Sequence, residues 1–357
     1  MKKSVFWLAG WLLLLTGCTG KKASVTPELF ASLPQYELQG KKLGMNVLEA
    51  SRFVFNEDYL VCGNRRASDY PYTVYRRNDP KHPIPFIRKG KGRGEYLYSS
   101  DCQLTDNDDF YFYTTNGINK LIICDLNRLT DTIDYPIKEI VDWDSTGSWN
   151  SFQHPVIIKD RFVFGRYAGI DMNGEFLCYD LKEGKRIYSE KLPENNFGLN
   201  EVMQHSLYQG PISVNGRGDR LFSTMVNGDV VGFYRLEEGK AVPVKVYDFI
   251  YPVCRPVEGG KKYLSRDDSY RGGQHIFWSE GKVYLVYCGT DYKTWKERGY
   301  KFAMRDVYVF DEEGTPLYSL RLDQPLEYVH VHGNRLIGYR TDDTGYVFYE
   351  YTLPKTA

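Results

Sequence analysis

His275-Ile-Phe-Trp-Ser-Glu-Gly-Lys-Val-Tyr-Leu-Val286 reads as an apolar strand, a polar turn and a second apolar strand. The turn-plus-strand half of it recurs along the chain. Asn56-Glu57-Asp58 precedes Tyr59-Leu-Val, Asp108-Asp109 precedes Phe110-Tyr-Phe, and Asp160-Arg161 precedes Phe162-Val-Phe. Asp219-Arg220 precedes Leu221-Phe, and Gly333-Asn334-Arg335 precedes Leu336-Ile. With Val283 the anchors stand at 59, 110, 162, 221, 283 and 336, separated by 51, 52, 59, 62 and 53 residues. Each anchor strand is followed by another, such as Leu121-Ile-Ile, Phe176-Leu-Cys-Tyr179 or Val307-Tyr-Val-Phe310. Turns such as Lys182-Glu-Gly184, Glu237-Glu-Gly239 and Glu312-Glu-Gly314 then lead into a further strand. An apolar strand also precedes the anchors, as at Pro155-Val-Ile-Ile158.

Four strands per unit without long helical periodicity predict an all-β chain, a six-bladed β-propeller of four-stranded antiparallel blades over residues 35–357. About 57 residues per unit exceed the ~40 to 50 of well-known propeller repeats, so long loops absorb the surplus. The sixth unit holds three strands before the chain stops. An N-terminal strand is therefore expected to close the last blade, with Tyr36-Glu-Leu38-Gln39 paired to residues 346–353.

Residues outside the repeat speak of location. Lys2 and Lys3 precede an apolar run over residues 5–15, the length of a signal h-region and too short for a membrane span. Leu15-Thr16-Gly17-Cys18 resembles the bacterial lipobox, which implies cleavage before Cys18 and its acylation. The expected organisation is a signal peptide over 1–17, a lipidated polar tether over 18–34 and the propeller. Lys and Arg total 46 against 46 Asp and Glu, so no broad field draws the 357-residue chain to nucleic acid. The other six cysteines lack any CxxC pair, and most sit in apolar runs, where a thiol behaves as a small hydrophobe.

With the lipobox, Arg88-Lys-Gly-Lys-Gly-Arg-Gly-Glu-Tyr96 and Tyr208-Gln-Gly-Pro211 make the chain similar to the six-bladed, TolB-like propeller lipoproteins of Bacteroides and relatives. That resemblance implies a monomeric propeller in the cell envelope and says little about activity. Surface-displayed members look acidic after the lipidated Cys, whereas Thr19-Gly-Lys-Lys22 is basic, which implies an outer-membrane anchor facing the periplasm.

In an antiparallel four-stranded blade the crossover to the next blade and the loop between second and third strands emerge on one face. Here the long segments near 88–100, 141–153, 194–207 and 251–274, and the insertion 289–304, all fall on that face. Loops of such length are where function is placed. They carry Arg88, Arg93, Trp143, Trp149, Tyr270, Arg271 and Trp295, forked donors and flat rings suited to a protein partner or a glycan. His154 and His275 each follow Gln and stand eight residues before an anchor, which predicts equivalent places at the channel mouth. His330 and His332, two apart on a strand, face the same side and are read as structural histidines of the channel wall. Two imidazoles are half a metal site and no motif completes it, so no metal or other cofactor is expected. No GxSxG elbow or compact Ser/His/Asp order appears, and no catalytic residue is assigned. The alternative is a carbohydrate-active propeller enzyme working through loop carboxylates among Glu95, Asp267, Asp268 and Asp291, which requires a pair about 5 to 10 Å apart in a deep pocket.

Overall fold

The computed structural model describes residues 23–45, 47, 50–64, 69–90, 95–96, 99–114, 120–130, 136–142, 151–168, 175–189, 208–252, 254–256, 262–264, 270–299, 301–343 and 345–355. The chain forms six blades in a ring. Blade one runs Arg52–Phe55, Tyr59–Gly63, Tyr72–Arg76 and Asp79–Phe86 from channel to rim. Blades two to five follow the same inside-to-outside order, with inner strands Ser99–Leu104, Ser151–Ile158, Ile212–Val214 and Tyr270–Ser279. Blade six consists of Tyr328–His332, Arg335–Asp342 and Gly345–Thr352 with Lys41–Lys42 as its rim strand. All six anchors lie at the head of a second strand. They read as continuous apolar runs because both faces of each blade are covered by neighbours.

The core is correspondingly divided into wedges between blades. Val61, Tyr72 and Phe86 of blade one pack with Phe110, Phe112 and Ile122 of blade two. Equivalent clusters join blades two and three, three and four, four and five, five and six, and six and one. Phe53, Phe110, Phe164 and Phe222 are fully buried in these wedges, each contributing roughly 2 to 3 kcal/mol of apolar burial. Polar turns are tied across blades too. Asn56 accepts from the backbone N–H of Asp58 and Tyr59, holding its own turn, and donates to Asp108 at 2.6 Å in the equivalent turn of blade two.

Tyr208-Gln-Gly-Pro acquires a structural reason. Arg166, 3% exposed, donates to the carbonyls of Tyr208, Gly210 and Thr224 and to Glu175 at 2.6 Å. A side chain at Gly210 would place its Cβ 1.9 Å from the Thr224 carbonyl oxygen, so only glycine permits this close crossing.

The ring is closed by the N-terminal segment as expected in kind, but by different residues. Tyr36 does not pair with residues 346–353. Gln35–Leu38 instead runs parallel to Pro316–Leu326 as a fifth strand of blade five, with Tyr36 opposite Leu320. Lys41–Lys42 makes the closure, pairing antiparallel with Glu350 and Tyr349. Tyr36 packs edge-on against Tyr318 at 5.5 Å, and that contact holds the strand on blade five. At Gly40 a Cβ would lie 2.6 Å from the Tyr351 ring, so glycine lets the chain step over to blade six.

The segment read as a polar tether is docked from Thr26 onward. A short helix, Thr26–Leu29, starts with Thr26 fully buried, its N–H and hydroxyl donating to Asp229 at 2.8 and 2.6 Å. Phe30 then inserts between Tyr308 and Phe310, with centroids 4.8 and 5.0 Å away. Among the described thiols, Cys62, Cys102, Cys124 and Cys178 are buried and free, and Cys288 is half-buried and free. Burial pushes the Cys102, Cys124 and Cys178 thiols up to about 12.

Candidate functional site

The inner strands all leave the crossover face and end at the tight turns on the opposite face, so their channel-facing residues line one central cavity of about 690 Å³. The repeat sets which residues these are. The position eight before each anchor is Ser51, Cys102, His154, Ser213, His275 and Tyr328, and all six line the cavity. Two residues further on, Leu104, Val156, Asn215, Phe277 and His330 line it as well, whereas Phe53 of blade one is buried in the wedge with blade six.

The mouth on the crossover side is held by an ionic group. Arg52, at the start of the inner strand of blade one, donates to Asp101 of blade two at 2.5 Å. The backbone N–H of His154 in blade three donates to the other carboxylate oxygen at 3.1 Å, and its Nδ1 lies 3.7 Å from the first. Burial works against the charge on Asp101, but His154 and Arg52 together outweigh it and hold the carboxyl well below its usual range. His154 has φ of 51° and occupies a register shift between Gln153 and Val156, so a bulge turns it toward the mouth. His275 sits beside a similar shift in blade five.

One side of the channel is a wall of rings. Tyr328 and His275 have centroids 4.6 Å apart, His275 and Phe277 6.1 Å, and Phe277 and His330 4.8 Å. Behind His330, at 5.3 Å, lies Phe55, buried in the wedge between blades six and one. Burial, with the His154 imidazole adding to it, lowers His275 to about 3. Burial, with His332 and His275 adding to it, lowers His330 to about 3. Both imidazoles are therefore neutral at physiological pH. At the far end His332 lies 3.2 Å from Asp106.

Arg271 also lines the mouth. Its guanidinium lies over the Trp295 ring at 3.9 Å, with Tyr292 at 5.7 Å and Phe302 at 5.8 Å. These rings belong to the blade-five insertion, whose helix Tyr292–Glu297 is capped by Asp291 accepting from the Thr294 N–H at 2.7 Å. Trp295 stacks on Phe302 at 5.4 Å. The insertion thus folds over one edge of the mouth.

The expected site residues divide accordingly. His154 and His275 line the cavity at equivalent places, and Arg271 and Trp295 meet at its rim. Tyr270 is turned into the blade, its hydroxyl 3.0 Å from that of Tyr287, which donates to Asp229 at 2.8 Å. Arg88 is exposed beside Glu95 at 3.9 Å and does not line the cavity. Cys18, Arg93, Trp143 and Trp149 lie outside the described residues, as do Asp267 and Asp268. The sequence reading missed Arg52, Asp101 and Tyr328. Tyr328 obeys the eight-before-anchor rule that singled out His154 and His275, so that rule, applied to every blade, finds it.

Asp101 is the one carboxylate lining the cavity among the described residues, and it is bonded to Arg52. Asp291 is a helix cap and Glu95 lies beside Arg88. No acid pair of the kind glycoside cleavage uses is formed by these residues. Among the described residues no three His, Cys, Asp or Glu side chains are grouped to hold a metal ion.

No protein-family model matches the sequence, and no curated protein matches it. Solved structures do. An exported protein of Bacteroides fragilis superposes with a TM-score of 0.55 at 12% identity, covering 90% of this chain and 99% of its own. A member of the DUF4221 family from Bacteroides vulgatus gives a TM-score of 0.57 at 13% identity, covering 89% and 99%. The likeness is one of fold and runs over nearly the whole of both neighbours.

Proposed function

We propose that the protein is a binding propeller of the bacterial cell envelope, anchored by lipid on Cys18 and engaging a protein partner or a glycan through its crossover face. The observation carrying this reading is the central cavity, which Arg52, His154 and Arg271 from three blades line, the last lying on the rings of the blade-five insertion. A concave opening with a few placed polar groups among apolar walls is the usual form of a ligand site. The anchor rests on the apolar run over residues 5–15 and on Leu15-Thr16-Gly17-Cys18, and the basic Lys21-Lys22 favours the periplasmic side of the outer membrane. Since the chain is docked from Thr26, seven residues separate it from Cys18, a reach of roughly 25 Å when extended. A monomeric TolB-like lipoprotein that binds neither nucleic acid nor a cofactor fits these features.

Two experiments test the reading. Cys18→Ser should move the protein from the membrane to the soluble fraction, and retention in the membrane would remove the anchor. Affinity capture from native membranes should lose its specific partner or glycan when His154→Ala and Arg271→Ala are combined, while an exposed Lys245→Ala control on the blade-four rim keeps it. Unchanged capture would remove the crossover mouth as the binding surface.

A further inference from the structure

The N-terminal segment enters the propeller from its crossover side. Thr26 donates to Asp229, the first residue of the third strand of blade four, and Tyr287, near the end of the second strand of blade five, donates to the same carboxylate. The backbone N–H of Gly272, beginning the inner strand of blade five, donates to the Gly228 carbonyl at 2.9 Å, so all three strand ends meet there. From Thr26 the chain runs toward the opposite face, packing Phe30 on Tyr308 and Phe310 before Gln35 pairs with Ser319. Ser24 is fastened as well, its N–H and hydroxyl donating to Glu28 at 2.7 and 3.0 Å. Five residues stand between Ser24 and Cys18, a reach of roughly 20 Å. A blade is taller than that, since Lys282–Asp291 has 10 residues and spans about 30 Å. Beside the docked segment, the helix of the blade-five insertion carries charge of mostly one sign. Lys293, Lys296 and Arg298 are exposed and in no ion pair with a described residue. Asp291 caps the helix, which leaves Glu297 as its one other acid. Lys301 donates to Thr341 of blade six, beside Asp342 and Asp343, and adds nothing to the excess.

We propose that the crossover side of blade five is the membrane-facing surface of the anchored protein, with Lys293, Lys296 and Arg298 resting on anionic phospholipid headgroups. This deepens the reading of a lipid-anchored propeller and rests on acylation of Cys18. The tether sets the side. While Thr26 stays on Asp229, a chain reaching roughly 20 Å cannot pass down a blade about 30 Å tall, so the tight-turn face is kept off the bilayer. Charge then decides between the crossover side and the flank. The three cations can meet phosphates without first leaving a carboxylate, and each strengthens attraction to an anionic surface roughly fivefold. That attraction fades beyond about 8 Å at physiological salt, and the short tether supplies the closeness it needs. Lys21 and Lys22, in the tether sequence itself, add charge of the same sign.

The test uses the full protein extracted from membranes and reconstituted into vesicles, either phosphatidylcholine alone or phosphatidylcholine with phosphatidylglycerol. Fluorophores are placed at Lys301→Cys on the crossover side or at Lys240→Cys on the far end of blade four, both exposed, with Cys254→Ser and Cys288→Ser removing other reactive thiols. Energy transfer to an acceptor on the lipid headgroups reads the distance of each label from the bilayer. The Lys301 label should lie nearer than the Lys240 label by half a blade's height or more, roughly 15 Å, on both kinds of vesicle. Ten Gly and Ser residues inserted between Lys22 and Ala23 should abolish that difference on phosphatidylcholine alone. Phosphatidylglycerol should bring the Lys301 label closer still, and combining Lys293→Gln, Lys296→Gln and Arg298→Gln, all exposed and harmless to folding, should cancel this approach. Equal distances for the two labels, as for a propeller lying on its flank, overturn the proposal. So does an approach that ignores phosphatidylglycerol or the triple change, or a triple change that leaves the distances alone but loses a captured protein partner. A native protein that does not float with the vesicles overturns the anchor itself, whereas one that floats with its labels equidistant keeps the anchor and loses only this orientation.

Discussion

Acidification should destabilise the propeller through two particular rings. His275 and His330 are lowered from 6.5 to about 3 by burial and by neighbouring imidazoles. Because the folded state holds these groups below their unfolded value, it binds fewer protons than the unfolded chain between those limits. The stability they confer is complete above about 6.5 and falls as the pH drops toward 3. The slope is about 1.4 kcal/mol per pH unit for each ring. Taken in full, a step from about pH 7 to about pH 5 removes roughly 2 kcal/mol per ring. Both rings keep some exposure to the channel, and solvent screening brings the pair to about 2 kcal/mol together. For a chain of this size that is a fall in Tm of roughly 3 °C. The assay is thermal unfolding at both pH values for the native sequence and for His275→Phe combined with His330→Phe. Phenylalanine suits the surroundings, since His330 is packed between Phe55 and Phe277. Other titrating groups act equally in both proteins, so the comparison isolates the two imidazoles. An equal fall in both proteins would refute the reasoning.

Other perturbations follow from single contacts. Asp229→Asn removes a buried charge, yet the carboxylate accepts three hydrogen bonds, from Thr26 twice and from Tyr287. An amide accepts fewer and adds a donor among donors, so a loss of about 1 to 3 kcal/mol is expected in urea unfolding, with faster hydrogen exchange at Phe30. Gly210→Ala should cost roughly 2 kcal/mol or more, because the Thr224 carbonyl that its Cβ meets at 1.9 Å is backbone. Arg166→Met strands Glu175, which is 9% exposed, and should cost about 3 to 5 kcal/mol by the same assay. A thiol reagent should leave Cys62, Cys102, Cys124 and Cys178 unmodified in the folded protein and label all four after denaturation.

Much of the fold is legible in the sequence because its signals are local. A turn residue with a hydrogen-bonding side chain, such as Asn56, announces the strand that follows. Covering both faces of a blade demands unbroken apolar runs, so the anchors at 59, 110, 162, 221, 283 and 336 stand out. The closing strand was harder. Tyr36-Glu-Leu38 and Lys41-Lys42 are both short, and nothing in either says which rim it will join or in which direction. For the site, spacing placed His154 and His275 correctly since the channel repeats once per blade. It did not single out Arg52 or Asp101, which come from different blades. Their importance arises from a 2.5 Å contact between residues 49 apart.

The amino-acid sequence by itself determined the number of blades and the strand order within each, because each is set by neighbours within a few dozen residues. Only the tertiary structure decided that Thr26 is buried on Asp229, that Tyr36 belongs to blade five, and that the rings of blades five and six form one wall. Those outcomes depend on contacts made when the ring closes, where residues far apart in the chain compete for the same space.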